Sequence, residues 1–464
     1  MRSYRVKQSK TRQNLPASPL SDNHSRLNSI PFPYLWLALA VLIVYYPVFS
    51  AGFTDLDDGI FINDRFAFNS DLHNIAASFL TNVTGALHDA YYRPIFQVSM
   101  ILNCQVSGQD IAGYHAVNLF LHIAGVYLFY LFLKQLKVND LDSFILSLTF
   151  AIHPALVMAV AWVPGRNDIL LGIFILAFLL NAVAYLRHGG IKTLAGGGLF
   201  LLLALFTKET AVFAPAAALV VIWYVGAGIT SKRALAQYLV WVGCIAAWIV
   251  VRAQAHLPSL LVSPVELFVG AVRQLPVVIQ QAGKLLLPVN LSVYPSQQDT
   301  VYYWGIIALT LFAAAAYFAK GRGSKRLVAG TLLFIIFLLP TLLVPQRLSV
   351  QTYEFRLYLP FMGMLLALSG TALFLHHLQA QRLLIYGVAV AVVLSIINRV
   401  YQRSFTDPLS FWSQAVATSP HSSFAAMMLA ARTDDSAESR RLFNKAFELN
   451  PNERYVNYLY ATIL

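Results

Sequence analysis

Charged residues are scarce in this chain, and their scarcity is the first constraint on its class. Of 464 residues only 12% are charged, while 58% are hydrophobic. Soluble domains carry about a quarter charged residues. A water-soluble fold could not bury so much apolar surface, whereas a lipid bilayer accepts it. The sequence therefore predicts an all-α polytopic membrane protein.

Cysteines and the common cofactor motifs are also scarce. Cys104 and Cys244 are the only cysteines, and two isolated cysteines in apolar sequence make neither a zinc site nor a disulfide framework. The sequence contains no Walker loop, Rossmann fingerprint or His-Glu-x-x-His motif. We therefore expect no metal site formed by a known motif and no certain cofactor, while a requirement for a divalent metal stays open.

Basic residues are the more numerous charged class, and their distribution matters more than their number. The net charge is +12, which in a soluble protein would suggest nucleic acid as a partner. Here Lys and Arg concentrate in short connections between apolar runs, as they do in cytoplasmic loops. We expect membrane lipids as partners and no nucleic acid.

Eleven apolar runs approach the roughly 20 residues that a membrane span needs. They cover residues 33–52, 113–135, 143–163, 168–186, 193–207, 210–226, 235–252, 301–319, 327–344, 358–377 and 383–399. Every second connection is basic, which predicts a cytoplasmic N-terminus and a C-terminus on the outer face. The predicted regions are a disordered basic segment over 1–32, a transmembrane domain over 33–400, and outer loops over 53–112, 253–300 and 345–357.

The C-terminal segment differs in composition from the rest of the chain. Residues 401–464 are more polar, and from residue 408 onward they show helical periodicity broken at Pro420 and Pro451. This pattern predicts helix–turn–helix units like those of tetratricopeptide repeats, on the outer face. Such units usually stack because one alone cannot bury its apolar side, and here there is room for about one and a half.

An acidic segment directly after the first apolar run is the first candidate site. Asp55, Asp57 and Asp58 place three carboxylates within four residues. Like charges so close together raise one another's pKa, which suits a general base or a group that positions a sugar hydroxyl. A simple helix cap at the end of the span is an equally good interpretation of this segment alone.

Further charged clusters fall on the same predicted outer side. Charged groups at a membrane suggest function because they are costly there, but lipid anchoring, a tight polar hairpin and local salt bridges are the simpler alternatives. Together, carboxylates and several cations on one face fit a reaction on a lipid-linked phosphate, with cations on the leaving group and a carboxylate as base. The clusters comprise His88, Asp89, Tyr92 and Arg93; Arg166 and Asp168; Lys208 and Glu209; and Arg347, Glu354 and Arg356.

Several blocks in succession resemble one family, the transmembrane-and-tetratricopeptide O-mannosyltransferases and their bacterial relatives. The first block is residues 53–63, with its Asp-Asp pair followed by Ile62 and Asn63. The blocks that follow it in order are Tyr92-Arg93-Pro94, residues 113–122, residues 153–168, Thr207-Lys208-Glu209, residues 287–292 and residues 354–360. Their order, followed by the helical tail, carries the resemblance.

The resemblance implies a GT-C fold, a helical membrane bundle whose active site lies beside the first outer loop. It implies a polyprenyl-phosphate-linked sugar as cosubstrate and transfer, with inversion, to Ser or Thr hydroxyls of envelope or secretory proteins. Asp57 and Asp58 inherit the catalytic role, and Arg93, Lys208 and Arg356 the binding of donor phosphate. The supporting positions are Asp55, Tyr92, His115, Arg166, Asp168, Glu209 and Glu354.

Two departures and two alternatives accompany this reading. The acidic residue that usually follows His153-Pro154 is Met158 here, and the repeat array is short, which puts recognition of a protein acceptor in doubt.

The compact loops favour a bacterial inner membrane, with the endoplasmic reticulum as the eukaryotic equivalent. The alternatives are a non-catalytic scaffold that uses its tail, and a transporter for lipid-linked sugars, which would show internal inverted repeats.

Overall fold

The computed structural model describes residues 30–86, 90–255, 257, 263–343, 352–375 and 380–452. These residues are mainly helical and include no β-strand, which confirms the predicted all-α class. The predicted disorder of residues 1–32 falls outside them except for the last three residues. Three members of the predicted charged clusters, His88, Asp89 and Arg347, also lie outside the described residues.

The longer helices follow the apolar runs of the sequence. In chain order they are α1 (Pro33–Tyr45), α2 (Pro94–Ser107), α3 (Ile111–Gln135), α4 (Asp140–Ile152), α5 (Arg166–His188), α6 (Ile191–Thr207), α7 (Ala214–Val225), α8 (Lys232–Gln254), α9 (Pro264–Leu286), α10 (Tyr303–Phe318), α11 (Ser324–Leu342), α12 (Tyr358–Leu368), α13 (Ala380–Gln402), α14 (Pro408–Thr418), α15 (Ser423–Ala430) and α16 (Ser436–Leu449).

Short helical turns precede or follow several of these helices. They are Tyr46–Ser50, Ile60–Asp64, Phe66–Asn69, Asn74–Ala77, Pro154–Leu156, Val157–Ala161, Val163–Gly165, Glu209–Phe213, Glu354–Leu357, Ala372–Leu375 and Arg403–Phe405. The turn Ile60–Asp64 is a π-helix, a local form that is frequent at functional sites.

Six of the described helices are long and apolar enough to cross a membrane, and a pair bent by 51° around residue 153 would make a seventh. Helices α6 and α10 and the segment Glu209–Val225 are apolar but shorter. At 1.5 Å per residue, the 16 residues of α10 reach only about 24 Å. The chain is therefore a multi-pass membrane protein, and the number of eleven spans stays a prediction.

Two helices show how the two ends of the bundle differ. Helix α5 is about 34 Å long. Its first residues, Asn167 and Asp168, line a large cavity. Arg187, near its end, lines a cleft together with Lys137, Lys325 and Arg326, which we call the basic cleft. Helix α11 runs in the opposite sense, from Lys325 in the cleft to Thr341 in the cavity. Basic residues thus collect at the end of the bundle opposite the cavity.

Small residues let the helices around the cavity approach closely, as they do in membrane bundles. A Cβ added at Gly330 would lie 2.1 Å from the backbone nitrogen of Ala367, and one at Gly363 would lie 2.4 Å from that of Phe334. Helices α11 and α12 therefore pack backbone against backbone. This contact fixes the end of α11 beside the turn Glu354–Leu357 that precedes α12.

The C-terminal segment folds as three short helices with side-chain caps. Asp407 caps α14 by accepting from the backbone nitrogen of Ser410 at 2.8 Å, and Asp435 caps α16. Helices α15 and α16 form a hairpin around a small apolar cluster that includes Met427, Leu442 and Phe443. This hairpin has the helix–turn–helix form expected of the tail.

Candidate active site

The acidic segment after the first span forms a tight turn in which its carboxylates face different ways. The backbone nitrogen and hydroxyl of Thr54 donate to Asp58 Oδ2 at 2.6 and 3.1 Å. Asp58 is buried, and burial raises the pKa of its carboxyl group above the ordinary value. Asp57 is instead half-buried and lines the large cavity.

The cavity has a volume of about 1010 Å³ and lies at the end of the bundle beside the first outer loop. Its walls come from the acidic turn, the start of α5, the junction of α6 with the turn Glu209–Phe213, the end of α11 and the turn Glu354–Leu357. Six of the predicted site residues line it together: Asp57, Arg93, Asp168, Lys208, Glu209 and Arg356. Residues up to 299 positions apart thus converge on one cavity.

Two ion pairs fix cations in the cavity wall. Lys208 Nζ donates to both carboxylate oxygens of Asp168 at 2.8 Å each, and both side chains are buried. Arg93 Nη2 lies 3.5 Å from Glu209 Oε1, and its guanidinium lies 4.5 Å from the ring centroid of Tyr91. Lys208 is held where α6 ends, because its extended backbone breaks the helix there.

Arg356 and Tyr353 form another part of the cavity wall. The Arg356 guanidinium lies 5.9 Å from the ring centroid of Tyr353 and 5.7 Å from that of Phe355, within cation–π distance. Burial, with the nearby Tyr294 and Asp57 charges, keeps the pKa of Tyr353 well above its ordinary value. The Tyr353 phenol therefore stays protonated, and it forms a side-chain hydrogen bond with Tyr294.

Another part of the cavity wall is apolar. Leu171, Phe213, Phe337, Pro340 and Leu359 line the side formed by helices α5, α11 and α12 and the turn Glu209–Phe213. The cavity is therefore amphiphilic, with ionised groups at one side and hydrocarbon at the other. Such a cavity matches a ligand with a charged head and an apolar chain.

Comparison with known proteins gives similarity over part of the chain. No protein-family model matches it. It is 38% identical over 97 residues to protein O-mannosyl-transferase TMTC2 of Mus musculus and of Homo sapiens. It is 34% identical over 128 residues to protein O-mannosyl-transferase Tmtc1 of Drosophila melanogaster. Over these segments the chain is similar to proteins named O-mannosyl-transferases.

This relationship confirms the family resemblance expected from the sequence, over a limited extent. The matches cover 21% of this chain for the mammalian proteins and 26% for the fly protein. They span only 11% and 14% of the relatives' own length. The similarity therefore supports a common family for the matched segment, while the activity of the whole chain is a separate question.

Several of the predicted site residues lie outside the cavity lining, in structural roles. Asp55 is exposed and pairs with Arg432 of the tail, with its carboxylate 3.0 Å from Arg432 Nη2. Glu354 is fully buried and accepts from Lys284 Nζ at 2.7 Å and from the Tyr401 hydroxyl at 2.9 Å. Glu354 therefore joins α9, α13 and the turn before α12.

Arg166, Tyr92 and His115 are buried beside the cavity. Arg166 donates from Nε to Asn118 Oδ1 and from Nη2 to Asn103 Oδ1, at 2.7 Å each. It thereby ties α2, α3 and α5 together. The Tyr92 hydroxyl donates to the carbonyl oxygen of Phe79 at 2.9 Å, which closes the first outer loop. His115 is buried in α3.

The sequence interpretation did not single out two charged residues that also line the cavity, Asp64 and Arg252. Tyr91 and Tyr353 stood within its predicted clusters without an assigned role, and they line the cavity too. Arg252 stands where α8 ends, at a position where an isolated arginine closes an apolar run. A cation is unusual on the side that the sequence predicts to be outer, and that signal could have identified it. Asp64 sits at the end of the π-helical turn, which no simple sequence pattern marks.

Among the residues that the structure describes, no group of three or more His, Cys, Asp or Glu side chains is placed to hold a metal ion. The chemistry that these residues can perform is proton transfer by a carboxylate and stabilisation of an anion by fixed cations.

Proposed function

We propose that this chain is a multi-pass membrane glycosyltransferase. It would move a sugar from a polyprenyl-phosphate carrier to Ser or Thr hydroxyls of proteins, with mannose suggested by the names of its relatives. The observation that carries the proposal is that Asp57, Arg93, Lys208 and Arg356 line the same cavity.

The charged side of the cavity fits the phosphate of the donor. Guanidinium and ammonium groups fixed by ion pairs stabilise a phosphate leaving group without having to reorganise during the reaction. Asp168 orients Lys208, and Glu209 orients Arg93. The apolar side, with Phe213, Phe337 and Pro340, would then hold the first units of the polyprenyl chain.

Asp57 would act as the general base. Its carboxylate takes the proton from the acceptor hydroxyl, and the oxygen attacks the anomeric carbon of the sugar. The bond from that carbon to the phosphate oxygen breaks, and the lipid phosphate leaves with the electron pair, so the anomeric configuration inverts. In this scheme Asp58, which is turned toward Thr54, shapes the turn that presents Asp57.

The distribution of basic residues supports a reaction on the non-cytoplasmic face. Lys137, Arg187, Lys325 and Arg326 collect at the end of the bundle opposite the cavity. Basic residues favour the cytoplasmic side of a membrane, so the cavity would open to the periplasm or lumen. A bacterial inner membrane remains the proposed location, and endoplasmic reticulum membrane the eukaryotic one.

The test is sugar transfer by the purified protein in lipid nanodiscs. Polyprenyl-phosphate mannose and GDP-mannose are supplied separately, with a Ser/Thr-rich peptide or the same peptide carrying Ala instead. We expect a mass increase of one hexose only with the lipid donor and the Ser/Thr peptide. Transfer from GDP-mannose alone, or no transfer from polyprenyl-phosphate sugars of any kind, would contradict the proposal.

A further inference from the structure

The acidic turn is held from outside the membrane bundle by the C-terminal helices. Trp412 Nε1, in α14, donates to the carbonyl oxygen of Thr54 at 3.1 Å. The backbone nitrogen of Gly52 donates to the carbonyl oxygen of Thr406 at 2.8 Å. Arg432, just after α15, donates from Nε and Nη2 to Asp55 Oδ2 at 3.1 and 3.0 Å.

Asp55 has a backbone conformation that needs such support. Its φ is +55°, in the left-handed region that residues other than glycine adopt at a cost. Asp tolerates this region better than most residues, yet strained conformations persist where surrounding contacts fix them. The contacts on Gly52, Thr54 and Asp55 come from the tail and precede Asp57 by only a few residues.

A second set of contacts connects the tail to the cavity wall. The ring of Trp412 lies 5.5 Å from that of Tyr294, and Tyr294 lies 5.9 Å from Tyr353. Tyr353 lines the cavity beside Asp57. The loop around Tyr294 is itself bound to α14, because Gln414 donates to the carbonyl oxygen of Leu291 at 2.9 Å and accepts from the backbone nitrogen of Val293 at 3.0 Å.

We propose that the tail is part of the active site and that Arg432 is a positioning residue, holding Asp57 in place through Asp55. This inference rests on the proposed function for its catalytic meaning, but the contact between the tail and the turn does not. The tail would therefore serve catalysis directly, whether or not it also binds a partner. The Arg432–Asp55 pair is partly exposed, and pairs of this kind contribute little to global stability, so its loss should alter the turn rather than unfold the protein.

The experiment compares Arg432→Met, Arg432→Lys and Arg441→Met in the full chain in nanodiscs. Met keeps the aliphatic contacts of Arg432, and Lys restores a cation that reaches Asp55. Arg441, in α16, pairs with Glu438 on the exposed side of the same tail and provides the matched control. Each variant is measured by amide hydrogen exchange over residues 53–64, by thermal unfolding, and by kcat and KM for transfer.

Arg432→Met should increase amide exchange in residues 54–58 severalfold and leave the unfolding temperature close to that of the wild type. It should lower kcat about tenfold to a hundredfold, as small misplacements of catalytic groups do, with the donor KM unchanged. Arg432→Lys should recover part of both effects, and Arg441→Met should match the wild type.

Unchanged exchange over residues 53–64 in Arg432→Met overturns the inference. A fall in kcat matched by Arg441→Met also overturns it, because the effect would then belong to the tail in general. If the wild type transfers no sugar, the proposed function fails, while the exchange measurement still decides whether Arg432 holds the turn.

Discussion

The ammonium group of Lys208 lies 2.8 Å from each carboxylate oxygen of Asp168 within the cavity. The two residues are 40 positions apart in sequence, and both are buried. Each neutralises the other at a depth where an unpaired charge is costly. The pair thus has two roles in our account, since it joins the start of α5 to the end of α6 and orients a cation toward the donor phosphate.

Replacing Lys208 with Met should destabilise the fold by about 3–5 kcal/mol, because it leaves the Asp168 carboxylate buried without its countercharge. Chemical denaturation in detergent measures this loss. The double variant Lys208→Met/Asp168→Asn removes both charges and should recover most of the stability while transfer stays impaired. If Lys208→Met were as stable as the wild type, the buried ion pair would not stabilise the fold. If the double variant were fully active, Lys208 would not bind the donor phosphate.

Arg356→Ala should weaken donor binding, since a charge-assisted hydrogen bond contributes about 1.5–3 kcal/mol. That range corresponds to a rise of roughly tenfold to a hundredfold in the donor KM. The exposed Arg322, in the connection before α11, is the control at which Ala should change nothing. Steady-state kinetics with increasing donor concentration give the answer, and an unchanged donor KM in Arg356→Ala argues against its contact with phosphate.

Glu354→Gln should act on stability and spare substrate binding. The substitution leaves the Lys284 ammonium, which is almost fully buried, without a negative partner, at a cost of about 3–5 kcal/mol. Glu354 does not line the cavity, so the donor KM of the folded fraction should equal that of the wild type. Unfolding measurements check the loss of stability, and kinetics on the same preparation check the unchanged donor KM. A changed KM at unchanged stability would show that Glu354 takes part in binding.

Asp58 makes stability depend on pH in a defined direction. Burial raises the pKa of the Asp58 carboxyl group in the folded state. The protonated carboxyl group therefore makes its full contribution to stability below a pH of about 4, the ordinary pKa of Asp, and this contribution is lost as the pH rises through the folded-state pKa. Asp58→Asn stays neutral and keeps an oxygen for the Thr54 donors. We expect its unfolding free energy to exceed that of the wild type at neutral pH and to converge with it in acid. A difference that does not vary with pH would show that Asp58 does not titrate differently on folding.

The sequence predicted those features of the fold that depend only on the order of residue types along the chain. Apolar runs located helices, and the alternation of basic connections predicted the end of the bundle at which charged side chains would meet. The clusters that contain Asp57, Arg93, Lys208 and Arg356 were predicted to share one face on that basis. The family resemblance then supplied their roles, and all four residues line the same cavity. Charge near a membrane is costly enough that its position along the sequence carries information about the site.

The sequence was less informative wherever a residue's role depends on a distant partner. Asp57 and Asp58 are adjacent and identical, and only the hydrogen bonds from Thr54 turn Asp58 away from the cavity. Likewise, Glu354 becomes a structural residue because Lys284, 70 positions away, reaches it. Composition alone does not count the spans for a related reason, since short apolar helices have the same composition as full crossings.

The most direct test of the central claim is the substitution Asp57→Asn, because it removes the base and keeps the size of the side chain. Asp71→Asn is its control, since Asp71 lies in the same outer loop, bonds to His73 and does not line the cavity. Transfer from polyprenyl-phosphate mannose to a Ser/Thr peptide is followed by mass spectrometry, with donor binding measured in parallel. We expect Asp57→Asn to bind the donor and to transfer sugar at a rate at least about a hundredfold below that of the wild type, as removal of a general base predicts. Asp71→Asn should be fully active. Transfer by Asp57→Asn at the wild-type rate would contradict the account.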